Sequence, residues 1–379
     1  MSASEIPSRP RRRGDRGFAL AVSIFALVII SALIVGVFFA ARQEMRLGIN
    51  SRTSVRALGA AEAGLNTNVA NWQMGAWNAM VVGDSARIDT VTLASNGGSY
   101  FGWVRRLNEQ LFLIRTTGTD PQRTVQRTLA GFMRLELIQM GFNAALTVRG
   151  NTSVGGSALL DGRDTPPTGW GCPTTGLDTL PGLTMPTTVG SSIDTSHVLG
   201  DPPVVTNPSI NDSTFFKYGD LDWNELVAMA TITGTASSNV HPNPAGTGTT
   251  CTTTNVLNWG DPGKPPAVAG CRNYFPIIHW AGNLNVAQGV GQGILLVDGD
   301  IEVSGNFQFF GPVIARGHLK STGTGNRIYG GVMAADVDLE SNTVLGNAVI
   351  SYSSCALTNA LRASSPGRLI RERSWAEVF

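Results

Sequence analysis

Apolar and polar positions divide this chain into four textures. The first is a continuous apolar run, Phe18–Ala41, that carries no charge over 24 residues. A bilayer-spanning helix needs about 20 such residues. The pattern then changes without a break in helical character. Arg42–Trp72 holds no proline, and Met45, Ile49, Val55, Leu58, Leu65, Val69 and Trp72 recur close to helical spacing. Arg42, Arg46, Arg52 and Arg56 occupy other faces, so the spacing predicts an amphipathic continuation of the same helix. Residues 18–72 make one rod of about 80 Å at 1.5 Å per residue.

The second texture, residues 73–140, reads as a small β-rich head. Thr90–Ala94, Tyr100–Leu107, Gln110–Thr117 and Arg123–Leu135 are strand candidates. Asn108-Glu109 predicts a tight hairpin, and Gly118-Thr119-Asp120-Pro121 a turn. The third texture covers 141–163 and resumes at 276–358. Short apolar strokes are punctuated by Gly and Asn, and similar segments start at Pro276, Gly293, Gly311, Gly330 and Gly346. Gly282, Gly299 and Gly317 recur at one offset, as do Leu284, Ile301 and Leu319. Such a period predicts a β-helix or β-roll solenoid, with a β-sandwich as the alternative. The fourth texture, 164–275, is rich in Pro, Thr, Ser and Gly. It reads as a loop-rich insertion with one helix over Phe215–Ala230, N-capped by Asp222. Residues 359–379 read as a tail. The expected class is α+β: a long transmembrane and amphipathic helix, a small antiparallel meander, then a solenoid.

Charge sharpens the N-terminal reading. Arg9, Arg11, Arg12, Arg13 and Arg16 precede the apolar run against Glu5 and Asp15. The positive-inside rule puts the N-terminus in the cytoplasm and the body on the other side of the membrane. The run is too long for a removable secretory signal. Elsewhere charge is uninformative. A formal net charge of +1 gives no electrostatic case for nucleic acid. The cysteines, Cys172, Cys251, Cys271 and Cys355, form no CxxC pair and suit disulfides in an oxidising compartment. Three connectivities are open; pairing Cys251 with Cys271 closes a local loop and leaves Cys172 with Cys355.

Catalytic constellations are poor. His197, His241, His279 and His318 have no ligand spacing, and no GxSxG, HExxH, Walker A or Rossmann glycine pattern occurs. Asp298, Asp300, Asp336 and Asp338 offer oxygens for calcium but lack an EF-hand spacing, and they read as corner residues. Trp170, Trp223, Trp259 and Trp280 offer stacking surfaces for sugars, with core packing as the simpler reading. The expectation is a non-enzyme with no catalytic residue, metal or cofactor.

The basic cluster, Gly17, Phe18 and the apolar helix together resemble a type III (prepilin) signal. The string Ala60-Ala61-Glu62-Ala63-Gly64-Leu65 beyond the run resembles minor pilins of the PilX type. This resemblance covers residues 14–72. It implies cleavage between Gly17 and Phe18 by a prepilin peptidase, after a leader of residues 1–17. It also implies partnership with other major and minor pilins in a bacterial inner membrane and an extracellular filament. Small residues permit close helix approach, so Gly59, Ala60, Ala63 and Gly64 are the expected packing face for neighbouring pilin helices. The 276–358 repeats resemble bactofilin-like modules, with a surface or polysaccharide as a potential ligand. One departure stands out. Most pilins carry a glutamate at the fifth mature position, which here is Val22. That departure suits a tip or initiating subunit. It equally suits a plain signal-anchored periplasmic β-helix protein that binds or acts on polysaccharide.

Overall fold

The computed structural model describes residues 16–94, 97–219, 221–322, 324–338, 348–370 and 375–378. The protein is α+β, with one long N-terminal apolar helix and a body made mostly of sheet. Helix α1 runs unbroken from Arg16 to Ala70. Most of the leader lies outside the described residues. Ser23 and Ser31 return their hydroxyls to the carbonyls of Ala19 (2.8 Å) and Leu27 (2.7 Å). The apolar run thus leaves no side-chain hydrogen-bonding group without a partner, as hydrocarbon requires. After a short helix α2 (Met74–Trp77), the chain forms an antiparallel meander. Its strands are β1 (Ser85–Thr92), β2 (Ser99–Arg106), β3 (Leu111–Thr119) and β4 (Gln126–Leu135). Phe112, Ile114, Thr116 and Gly118 alternate inward along β3 toward α1, the period-2 pattern of a half-buried strand.

Two expectations about this head are corrected. The β2–β3 connection spans residues 107–110 rather than two residues, because Asn108 Oδ1 accepts from the amides of Gln110 (2.9 Å) and Leu111 (2.8 Å) and widens the turn. Residues 359–379 are not a tail. Helix α4 (Ser354–Ala363) is followed by Gly367–Leu369 and Trp375–Val378, both paired antiparallel with β4. The end of the chain therefore completes the sheet begun near its start. Local periodicity could not show this, since both partners are short.

The rest of the body is a parallel ladder with three columns. One column stacks residues 232–235, 277–280, 294–297, 313–315, 332–334, 146–148, 183–185 and 204–206. A second stacks 284–286, 301–303, 319–321, 337–338 and 152–153. The third stacks 289–292, 307–310, 327–330, 349–352 and 159–161. The pairings Ile277↔Ile294, Leu295↔Val313 and Val313↔Val332 follow the sequence repeat. The last repeat does not. Gly346 lies outside the described residues; Gly330 pairs with Tyr352, and the place after Val332–Ala334 is taken by Leu146–Val148. The early and late ladder segments are thus contiguous in space.

This arrangement revises the reading of 164–275 as an insertion. Leu183–Met185 and Val204–Thr206 build one end of the ladder, and Ile232–Val240 builds the other. Residues 207–231 must travel the seven steps between, about 34 Å at a ~4.8 Å strand spacing. They do so over an apolar outer face. Ile277, Ile294, Leu296, Ile314 and Met333 point away from the ladder interior and are covered by Ile210, Phe215, Tyr218, Leu221, Trp223 and Leu226. The expected helix over Phe215–Ala230 shortens to α3 (Trp223–Ala228). A reciprocal capping box fixes its start: Asp222 accepts from the Glu225 amide, and Glu225 accepts from the Asp222 amide, each at 2.9 Å. Leu295, Val297, Val313, Ala315, Val332 and Ala334 fill the inside.

The recurrent glycines have a close-approach reason. A Cβ on Gly299 would lie 2.1 Å from Asn283 Oδ1, and one on Gly317 2.3 Å from Asp300 Oδ1. Those oxygens accept from the backbone of the next rung: Asp300 N to Asn283 (2.9 Å) and His318 N to Asp300 (2.8 Å). Asp300 is therefore a corner residue, tying one turn of chain to the next.

Candidate functional site

The N-terminal junction is where the chemistry is most specific. Gly17 and Phe18 sit in the first turn of α1, while Arg9 and Arg11–Arg13 lie outside the described residues. Beyond them, every residue from Phe18 to Arg52 is exposed. This helix alone is long and apolar enough among the described residues to cross a membrane. Arg42 lies over the Phe38 ring at 5.1 Å and ends the uncharged stretch.

The stalk then seats on the head. Ala57, Ala60, Ala61, Gly64 and Leu65 are buried. The contact is backbone to backbone. A Cβ on Gly118 of β3 would lie 2.2 Å from both Ala57 O and Ala61 N. Thr116 Oγ1 donates to Ala61 O at 2.9 Å. A Cβ on Gly64 would strike the Tyr100 ring at 2.6 Å. Small residues are needed here because the helix lies directly on the sheet.

This divides the expected packing face. Ala60 and Gly64 are turned onto the chain's own sheet and are closed to a neighbouring helix. Ala63 is half-buried, whereas Gly59 is exposed with nothing within 4 Å of an added Cβ. The string of small residues showed that something packs closely; only the tertiary structure showed that it is the head. The open side of the stalk instead carries Gly48, Arg52, Val55, Gly59 and Glu62, at helical spacing.

A polar clamp joins head to ladder. Trp72 Nε1 donates to Asn78 Oδ1 at 2.8 Å, and Asn78 Nδ2 donates to the carbonyls of Arg362, Ala363 and Ser365. These carbonyls lie at and just beyond the end of α4, where carbonyls lose their intrahelical partners. Beside it, Arg106 is buried and donates to the carbonyls of Asn78 (2.8 Å) and Met80 (2.6 Å). Burial pulls its pKa down, and the Arg362 charge pulls further the same way, opposed by Glu109. Arg362 reaches Glu109 at 2.5 Å. No sequence pattern marked Asn78 or Arg106, since their partners lie far along the chain or in its backbone.

The cysteines form Cys172–Cys355 and Cys251–Cys271, with no free thiol. The first ties a loop of the 164–275 span to α4. The four histidines do not converge. His197 lies 3.6 Å from Asp194, and His279 3.0 Å from Asp298. Among the described residues no three His, Cys, Asp or Glu side chains group as metal ligands. The Asp336 and Asp338 side chains lie outside the described residues. Trp223, Trp259 and Trp280 are buried, while Trp170 is only partly covered.

The helix, its seat and the ladder define an α+β protein with one N-terminal helix long and apolar enough to span a membrane and a large sheet body. No family model matches the chain. No curated protein matches it. Among solved structures it is similar to the competence-associated pilin ComZ from Thermus thermophilus, with a TM-score of 0.24 and 14% identity over 86% of this chain and 97% of that one.

Proposed function

We propose that this protein is a non-enzymatic, minor pilin-like subunit of a type IV pilus or type II secretion filament. The observation that supports it best is the Arg16-Gly17-Phe18 junction opening directly into an uncharged run. That run continues as one helix into a close seat on an antiparallel sheet. In this reading a prepilin peptidase cuts after Gly17 on the cytoplasmic side of a bacterial inner membrane. Losing the arginines frees the apolar end to leave the bilayer. The open stalk side, with Gly48 and Gly59, then meets neighbouring pilins.

The parallel ladder is read as a β-helix displayed outward, whose outer face residues 207–231 shield. Its bulk, and Val22 in place of the usual acid, favour a tip or initiating position, with adhesion as its outward role. The same missing acid favours a second reading: a signal-anchored periplasmic β-helix protein acting on or binding polysaccharide. N-terminal sequencing of membrane-extracted protein separates the two. A start at Phe18 in peptidase-positive cells, and retention of Arg11–Gly17 without the peptidase, is the expected result. Retention in both overturns the pilin reading.

A further inference from the structure

Both disulfides and the head–ladder clamp converge on one cleft. It has a volume of about 310 Å³ and is walled by the head, two loops and α4. Cys172 follows Trp170 by two residues, Cys271 directly precedes Arg272, and Cys355 lies one helical turn before Asn359. Segments of the head, of two loops and of α4 are therefore held together as walls. This pre-organisation costs conformational freedom before any ligand arrives, which lowers the cost of binding.

The lining has a definite chemistry. Trp170 is locked: its indole N–H donates to Pro262 O at 3.0 Å, and its ring stacks on Phe310 at 5.5 Å. It can offer only its ring to the cleft, edged by Phe275 at 5.7 Å. Asn273 and Asn359 supply amides that both donate and accept. Arg272 is held by Asp261 through Nε at 3.0 Å and Arg362 by Glu109 through Nη1, so each keeps further guanidinium N–H groups. Counting Arg106 behind them, three guanidiniums face two carboxylates, Asp261 and Glu109. The local excess is one positive charge.

An aromatic wall, planar amides and forked cations in one rigid groove match a sugar ring bearing hydroxyls and a carboxylate. We infer that this cleft is a binding site for an acidic saccharide, a uronate-containing glycan being the class it fits. The inference concerns the body alone and holds whether or not the chain enters a filament.

The test uses the full-length protein in detergent, titrated with trigalacturonate and with neutral galactotriose, and followed by calorimetry. Trigalacturonate should bind saturably, at least about tenfold more tightly than galactotriose. Arg362→Gln should weaken trigalacturonate at least about tenfold; its partner Glu109 is exposed and keeps Arg106 at 3.3 Å, so the fold should hold. Asn273→Asp puts a negative charge into the exposed wall without changing size. It should weaken the acidic ligand and leave the melting temperature unchanged. Absence of saturable binding overturns the proposal, as does equal binding of both sugars or undiminished binding by a folded Asn273→Asp protein. Displacement by acetate at the same concentration as the saccharide also overturns it, since that marks a bare anion site. N-terminal sequencing on the same samples reports the filament reading separately.

Discussion

Gly118→Ala is expected to loosen the head more than its one added methyl suggests. The new Cβ would lie 2.2 Å from Ala57 O and Ala61 N, both helix backbone. Neither atom can rotate away, so α1 and β3 must separate by about 1 Å. A radial gap of ~0.5–1 Å forfeits a quarter to a half of each dispersion contact. The contacts affected are those of Ala57, Ala60, Ala61 and Leu65, all buried. The hydrogen bond from Thr116 to Ala61 O, worth about 1 kcal/mol, is stretched as well. Together these give a loss of roughly 2–4 kcal/mol, at or slightly above the usual ~1–3 kcal/mol for overpacking. Gly59→Ala is the matched control. It lies on the same helix, is exposed and meets nothing within 4 Å. Replacing an exposed mid-helix glycine should stabilise by about 0.5–1 kcal/mol. Native-state hydrogen exchange of the 57–65 and 111–119 amides reads both variants locally. Protection should fall about thirtyfold to several hundredfold in Gly118→Ala and hold or rise in Gly59→Ala. Equal protection in Gly118→Ala and wild type would refute the seat, and loss of protection in Gly59→Ala would refute the assignment of the open side.

Further outcomes follow from the packing, the cross-link and the charges. Ala60→Leu with Ala63→Leu should reduce head protease resistance before any effect on assembly can be read, because Ala60 is buried on the chain's own sheet; a fully resistant head in the double variant counts against this. Trp223→Ala should cost about 3–5 kcal/mol and uncover Ile294, Leu296 and Ile314, measured as a lower melting temperature and new binding of a hydrophobic dye. Removing Cys172–Cys355 should cost about 2–5 kcal/mol, read in denaturant melts of the double serine variant. Asp120 contributes to the acid limb: its carboxylate accepts from the amides of Val125 and Thr124, each at 2.7 Å, and the Val125 bond is the main cause of a pKa below the ordinary carboxylate value. Its stabilisation is therefore present above the unfolded pKa and lost as pH falls through the lower folded one. Asp120→Asn should flatten that part of the acid-unfolding curve.

The sequence by itself determined what depends on neighbours along the chain. The uncharged run at Phe18–Ala41, the continuation of its helix toward Trp72, the strands near Tyr100 and Gln110, the Asp222 cap and the first repeat spacings are local patterns of period 3.6, period 2 or fixed offset. Physical chemistry acts on these patterns within a few residues. Only the tertiary structure decided how distant pieces close. Short segments such as Leu146–Val148, Val204–Thr206 and Gly367–Leu369 carry too few side chains to specify a partner. They are placed by the edge left open for them: the ladder after Val332–Ala334 and the head sheet beside β4. The glycines at 299 and 317 recurred at one offset in the sequence, but the reason they are small is an oxygen of the previous rung lying too close for a Cβ. Ala60 and Gly64 looked like an outward packing face but are turned inward, because the direction of a helix face is set by the sheet that covers it. The cleft between Trp170, Arg272 and Arg362 had no local signature. Its walls come from segments up to 285 residues apart, and two disulfides and the clamp at Asn78 bring them together.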